Sequence, residues 1–157
     1  MKSVLSILSL LLILFACAPS KNTIECEDPR VVDGDTLRCS NLPSSVRIIP
    51  SIDDPSLWFD TPETSKRHAK CQSEIILGKR AKQAFKTLIK NSPLVTITPT
   101  KDSQKVDRFG RYLMRVNLTS KSNRKVNYAE HMNSLNLGIT YPESEHPYDW
   151  CNQKEFQ

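Results

Sequence analysis

Short apolar runs flank the turn residues Asp33-Gly34-Asp35, and this pattern predicts two strands, 24-IECEDPRVV-32 and 37-LRC-39, joined by a tight reversal. A third strand, 46-VRII-49, ends at Pro50. The stretch 50-PSIDDPSLWFDTPE-63 mixes prolines with aspartates and is expected to be a loop. From 71 to 90 the period changes. Leu77, Ala81, Ala84, Phe85 and Leu88 fall on one helical stripe, with Lys79, Arg80, Lys82 and Lys86 off it, and Asn91-Ser92-Pro93 stops the run. Two further strands, 94-LVTIT-98 and 112-YLMRVNL-118, are separated by a polar connection, 99–110. A second helix is predicted over 126–137, with Ala129, Met132 and Leu135 as its apolar side and Gly138 as its stop. The tail, 139–157, is expected to be irregular.

This order of elements is α+β. Five short strands with a helix after the third match a five-stranded OB-type barrel with two to three helices packed against it, a fold that often binds oligonucleotides. The pattern alone stops at α+β.

The chain has 157 residues, and its first segment stands outside this pattern. Lys2 precedes the apolar run 4-VLSILSLLLILF-15, which is too short to span a bilayer and has the form of a secretory leader. The run ends in 14-LFAC-17, which resembles a bacterial lipobox. That resemblance implies cleavage before Cys17 and lipid on its thiol, against an ordinary leader with a free Cys17. The expected organisation is a signal peptide over 1–16, a lipidated tether over 17–23 and one domain over 24–157. The expected location is the cell envelope, exported and lipid-anchored at a membrane. Four cysteines remain, Cys26, Cys39, Cys71 and Cys151, an even number that suggests two disulfides in an exported chain. Three pairings are possible. Cys26 with Cys39 is favoured because they flank the reversal at similar distances, which leaves Cys71 with Cys151. A zinc site is the rival, but no Cys-x-x-Cys is present. The formal charge of +5 suits a polyanionic partner and equally suits simple solubility.

Four fragments carry candidate chemistry: Asp33-Gly34-Asp35-Thr36, Arg47, Asp60-Thr61-Pro62-Glu63 and Asp107-Arg108-Phe109-Gly110-Arg111. Each has a bland reading as a turn, an edge-strand charge or a helix start. Taken together they supply what phosphodiester hydrolysis needs. Carboxylates can hold a cation and take a proton from water. The planar fork of arginine can bond two phosphate oxygens at once.

The ordered set "VVDGDTLRC", "VRII", "DTPET", "CQSEIILGKRAKQAF", "DRFGRYLMRVNL" and "VNYAEHMNSLNLG" resembles the staphylococcal-nuclease (thermonuclease) family, from about Arg30 to about Tyr141. The resemblance implies Asp35 and Asp60 as calcium-binding carboxylates and Thr61 as a backbone-carbonyl ligand. It implies Glu63 as the general base and Arg47 and Arg111 as the phosphate clamp. Asp33 and Asp107 become supporting acids. Tyr112 would flank the substrate. The implied substrates are DNA and RNA, the products carry 3′-phosphates, and the chain acts as a monomer.

In the family the "VRII"-like strand runs almost directly into "DTPE", whereas 50-PSIDDPSLWF-59 intervenes here. A second frame would make Asp53 the ligand and put Ser56 at the base position. The frame with Asp60 is preferred because it keeps Glu63. The insertion is expected to bulge at the rim, where Trp58 and Phe59 either stack on a base or pack against the barrel. His68, His131 and His146 share no ligand spacing and are expected at the surface. Two other functions stand beside the nuclease: a catalytically silent module that binds nucleic acid or another polyanion, and a structural envelope lipoprotein.

Overall fold

The structure, a computed structural model, describes residues 23–54, 56–100, 106–145 and 148–152. The leader, the tether to residue 22 including Cys17, and His146 lie outside the described residues. The elements in chain order are β1 (Ile24–Glu25), β2 (Arg30–Asp33), β3 (Thr36–Arg38), β4 (Val46–Ile48), β5 (Leu57–Asp60), α1 (Gln72–Asn91), β6 (Leu94–Pro99), β7 (Tyr112–Thr119), β8 (Lys125–Asn127), α2 (Tyr128–Ser134) and β9 (Ile139–Pro142). A 3-10 turn, Glu143–Glu145, follows.

The main sheet has the order β1-β6-β7-β4-β3-β2, with β8 added on β7. All its pairings are antiparallel except β4 with β7, which is reached through the α1 crossover. This α+β sheet is curled like half a barrel, and among the described residues no ladder joins its outer strands β1 and β2. The expectation of five strands needs correction, because the segment read as 24–32 is two strands and β8 was not foreseen.

Two more strands lie where irregular chain was expected. β5, in the supposed loop, pairs with β9, in the supposed tail, as a separate two-stranded sheet with Asp60 opposite Ile139. The insertion therefore does more than bulge: its second half is a strand that ends at Asp60. The second helix starts two residues later than predicted. Lys125–Asn127 pair with β7, and the Asn127 side chain then caps the helix by accepting from the N–H groups of Ala129 and Glu130. Asn136, at φ 55°, ends it rather than Gly138.

The α1 stripe behaves as its period predicts. Leu77, Ala81 and Phe85 are buried, and Ala84 and Leu88 pack at the margin of the core. Phe85 stacks on Tyr128 with ring centroids 3.9 Å apart, and Phe59 meets Tyr128 edge-on at 5.9 Å. Each such fully buried aromatic or aliphatic side chain contributes roughly 1.5–3 kcal/mol. The disulfides join Cys26 to Cys39 and Cys71 to Cys151, the pairing favoured from the sequence.

Candidate active site

The β2–β3 reversal places two acids. Asp33 turns back on the reversal, its Oδ1 accepting from the Gly34 N–H at 2.9 Å, while its Oδ2 accepts from the Thr64 hydroxyl at 3.1 Å. Asp35 is buried, and its Oδ1 accepts from Thr36 Oγ1 at 2.8 Å. Register then delivers an arginine, because Thr36 pairs with Arg47 across the β3–β4 ladder. The Arg47 guanidinium is buried between two carboxylates. Nη1 donates to Asp35 Oδ2, and Nη2 donates to Asp60 Oδ1 and to the Phe59 carbonyl, both at 3.0 Å. Its Nε is buried without a hydrogen-bond partner. Burial opposes the charge on Arg47, but the two acids outweigh it and hold its pKa above the ordinary arginine value.

The chain leaving β5 supplies the next groups. Thr61 is buried against the reversal so closely that a Cβ on Gly34 would lie 2.4 Å from its Oγ1. Tyr128 fixes the same reversal from beneath by donating its hydroxyl to the Gly34 carbonyl at 2.5 Å. Glu63 is half exposed, with its Oε2 3.9 Å from His68 Nδ1. Its backbone is anchored by Glu74, a buried acid in the first turn of α1 that the sequence reading passed over. Glu74 accepts from the N–H of Glu63 at 3.4 Å and from that of Lys70 at 2.6 Å.

Helix α1 also touches this segment directly. A Cβ on Gly78 would lie 2.4 Å from the Glu63 carbonyl and 2.5 Å from that of Pro62. The Gly78→Ala change is therefore expected to destabilise the fold. Better helix propensity contributes about 1 kcal/mol, but overpacking against fixed backbone costs about 1–3 kcal/mol. The melting temperature should fall; a variant that melts higher than the parent would contradict the contact.

Arg111 arrives from the β6–β7 connection. Asp107 builds that turn, its Oδ1 accepting from the N–H groups of Phe109 at 2.9 Å and Arg111 at 3.0 Å, and its Oδ2 accepting from Arg111 Nε at 2.6 Å. Arg111 Nη1 reaches Thr36 Oγ1 at 3.1 Å, so Thr36 links this arginine to Asp35. Burial pushes the Asp107 carboxyl up, but these bonds outweigh it and hold its pKa below the ordinary 3.8. The folded state therefore favours the charged form. That stabilisation is present above the ordinary value and is lost as pH falls through it to the lower folded value. Asp107→Asn should melt below the parent at pH 7, and the gap should close below about pH 4. A gap that stays constant down to pH 2 would contradict the assignment.

Arg47, Asp60, Glu63, Asp107 and Arg111 line one cleft of about 630 Å³. Burial raises the carboxyl pKa of Asp33, Asp60 and Glu63, and the Asp35 charge adds to it in each. Arg47 bonds two of these acids, Asp35 and Asp60, while Arg111 is taken up by another, Asp107. A surplus of hard, partly buried oxygen donors suits a divalent cation of the calcium class better than zinc. A cation bound here would meet Asp35 and Asp60, whose carboxylates share the Arg47 guanidinium, with Thr61 packed on the adjoining reversal. Among the described residues, the one group of three His, Cys, Asp or Glu side chains with ligand atoms within 4.8 Å of each other is Cys71, Glu74 and Cys151. Its two cysteines form a disulfide, so it is not a ligand set.

Asp60 meets Arg47, whereas Asp53 is exposed in the preceding loop with its N–H on Ser51 Oγ. Phe59 is core, while Trp58 lines the cleft. Tyr112 packs against the core and is not among the cleft residues, because its neighbour Leu113 is the residue of β7 that faces the cleft. Phe109, exposed and lying against Arg108 and Arg111, is the aromatic residue of that turn on the cleft. His68 is exposed and His131 half-buried. The reading also missed Trp150, whose Nε1 donates to Asp60 Oδ2 at 3.2 Å. No protein-family model matches the chain, and no curated protein matches it.

Proposed function

We propose that this chain is a calcium-dependent nuclease of the thermonuclease type, hydrolysing phosphodiester bonds of DNA and RNA. The observation that carries the proposal is the junction at Arg47. One guanidinium joins Asp35 to Asp60, Arg111 connects to the same acid through Thr36, and Glu63 stands on the same cleft. In this reading β2, β3, β4, β6 and β7 are the five strands of an OB-type barrel, and the β5–β9 pair is an addition beside it. Calcium held by Asp35, Asp60 and the Thr61 carbonyl would neutralise a phosphate oxygen and orient the attacking water. Glu63 takes the proton of that water, and its raised pKa brings it closer to neutral pH, where a general base works best. Arg47 and Arg111 hold the phosphate oxygens and stabilise the charge that grows on them. Departure of the 5′-oxygen leaves a 3′-phosphate. The two disulfides fit an exported protein, and lipid on Cys17 would tether it, as a monomer, to a membrane of the cell envelope.

The test is digestion of plasmid DNA and RNA with calcium or with a chelator. The proposal expects fragments with 3′-phosphate ends in calcium and intact substrate in chelator. Intact substrate in both would overturn it. One observation favours a silent binding module instead: Arg47 already gives its bonds to both acids and so satisfies them without a metal. That reading expects oligonucleotides to be retained on the protein in chelator, weakening with salt and never cleaved.

A further inference from the structure

Trp150 lies in the tail, ninety residues beyond Asp60, yet it is 2% exposed and its single polar atom donates to the Asp60 carboxylate. Two devices hold it there. Next to it, Cys151 is bonded to Cys71, the residue that precedes the first turn of α1. On the other side an aromatic series runs back to the small sheet. Tyr148 meets Trp150 edge-on at 4.9 Å, and Tyr141 of β9 stacks with Tyr148 at 6.3 Å. β9 in turn pairs with β5, the strand that ends in Asp60. The tail and the acid therefore belong to one cross-linked unit.

From this geometry we infer that Trp150 is a positioning residue for Asp60, and that the Cys71–Cys151 disulfide is the latch that keeps it in place; the inference rests on the nuclease reading above. Asp60 gives Oδ1 to Arg47 and Oδ2 to the indole N–H. With both oxygens engaged by fixed donors, the carboxylate plane cannot turn. Each oxygen keeps a second lone pair for a cation. Partners one shell out fix the orientation of a metal-binding group in this way, and their loss typically weakens metal affinity about 10–100-fold. The indole is suited to the task because it only donates, so it cannot compete with the carboxylate for a cation.

The experiment uses the full chain in a Trp58→Phe background, where Trp150 is the remaining tryptophan. This protein is compared with versions that also carry Trp150→Phe, which keeps an aromatic ring but removes the donor, or Cys71→Ser with Cys151→Ser. Calcium affinity is read from the calcium dependence of the melting temperature and, separately, of hydrolysis. Trp150→Phe should raise the calcium needed for half effect about 10–100-fold in both, with the rate at saturating calcium nearly kept. The cysteine pair should move the calcium requirement the same way and make Trp150 fluorescence newly quenchable by iodide. A Trp150→Phe protein with the same calcium midpoints as its background overturns the positioning role. A cysteine variant with Trp150 still shielded overturns the latch. Failure of the nuclease reading looks different: the background itself neither shifts its melting temperature with calcium nor cleaves, and the positioning role falls with it.

Discussion

Glu63→Gln is expected to lower the hydrolysis rate at saturating calcium by about 10²–10⁴-fold, the usual loss when a general base is removed. The amide keeps the size of the side chain but cannot take the proton from water. Stability should barely change, because the Glu63 side chain is 44% exposed and its nearest ionisable partner among the described residues, His68, is 3.9 Å away. The bonds that hold this segment use the backbone N–H of Glu63 and the side chain of Glu74, and neither is altered. Relief of repulsion should even help slightly, since Asp35, Asp33 and Asp60 all disfavour a charged Glu63 after burial has done so. Matched stopped-time assays and melting curves check both halves. A variant that cleaves as fast as the parent removes Glu63 from the reaction, and one that fails to fold shows that Glu63 is structural.

Arg47→Ala should damage fold and activity together. The substitution leaves Asp35 and Asp60 beside each other with no counter-charge, where burial and the Asp35 charge already oppose ionisation of Asp60. Removing one partner from a buried ion pair costs about 3–5 kcal/mol. For a domain of this size that is a drop of roughly 10–20 °C in melting temperature. Calcium should restore part of the loss, because a cation bound only by the folded state stabilises it by mass action. Activity should stay low even where the fold recovers, since only Arg111 remains of the proposed phosphate clamp. A variant that melts like the parent in chelator would show that the Arg47 junction contributes little.

Much of this was legible in the chain, and the reasons differ by element. Helix α1 could be read because its stripe, Leu77 to Leu88, repeats over about three turns and needs no distant partner. The β2–β3 reversal could be read because Asp-Gly turn chemistry is local. β5 and β9 could not, because each is a four-residue strand with proline in or near it whose partner lies some eighty positions away. Asn127 with Glu130 three residues later was a usable signal for the start of α2, and it was overlooked. In the candidate site, the acids and arginines were found through their order along the chain, and register explains why they meet. The resemblance implied that Tyr112 flanks the substrate, but alternation along β7 leaves Leu113, not Tyr112, on the cleft. Trp150 had no local signature. Its neighbour Cys151, once paired with Cys71, was the only hint that the tail returns to the site.

The most direct measurement is a calorimetric titration of calcium into the full chain and into Asp60→Asn, with the melting temperature of each recorded in chelator. The account predicts one site per chain in the parent, and none measurable in the near-isosteric variant while it remains folded. Heat that is absent from the parent, or equal in the two proteins, would contradict it.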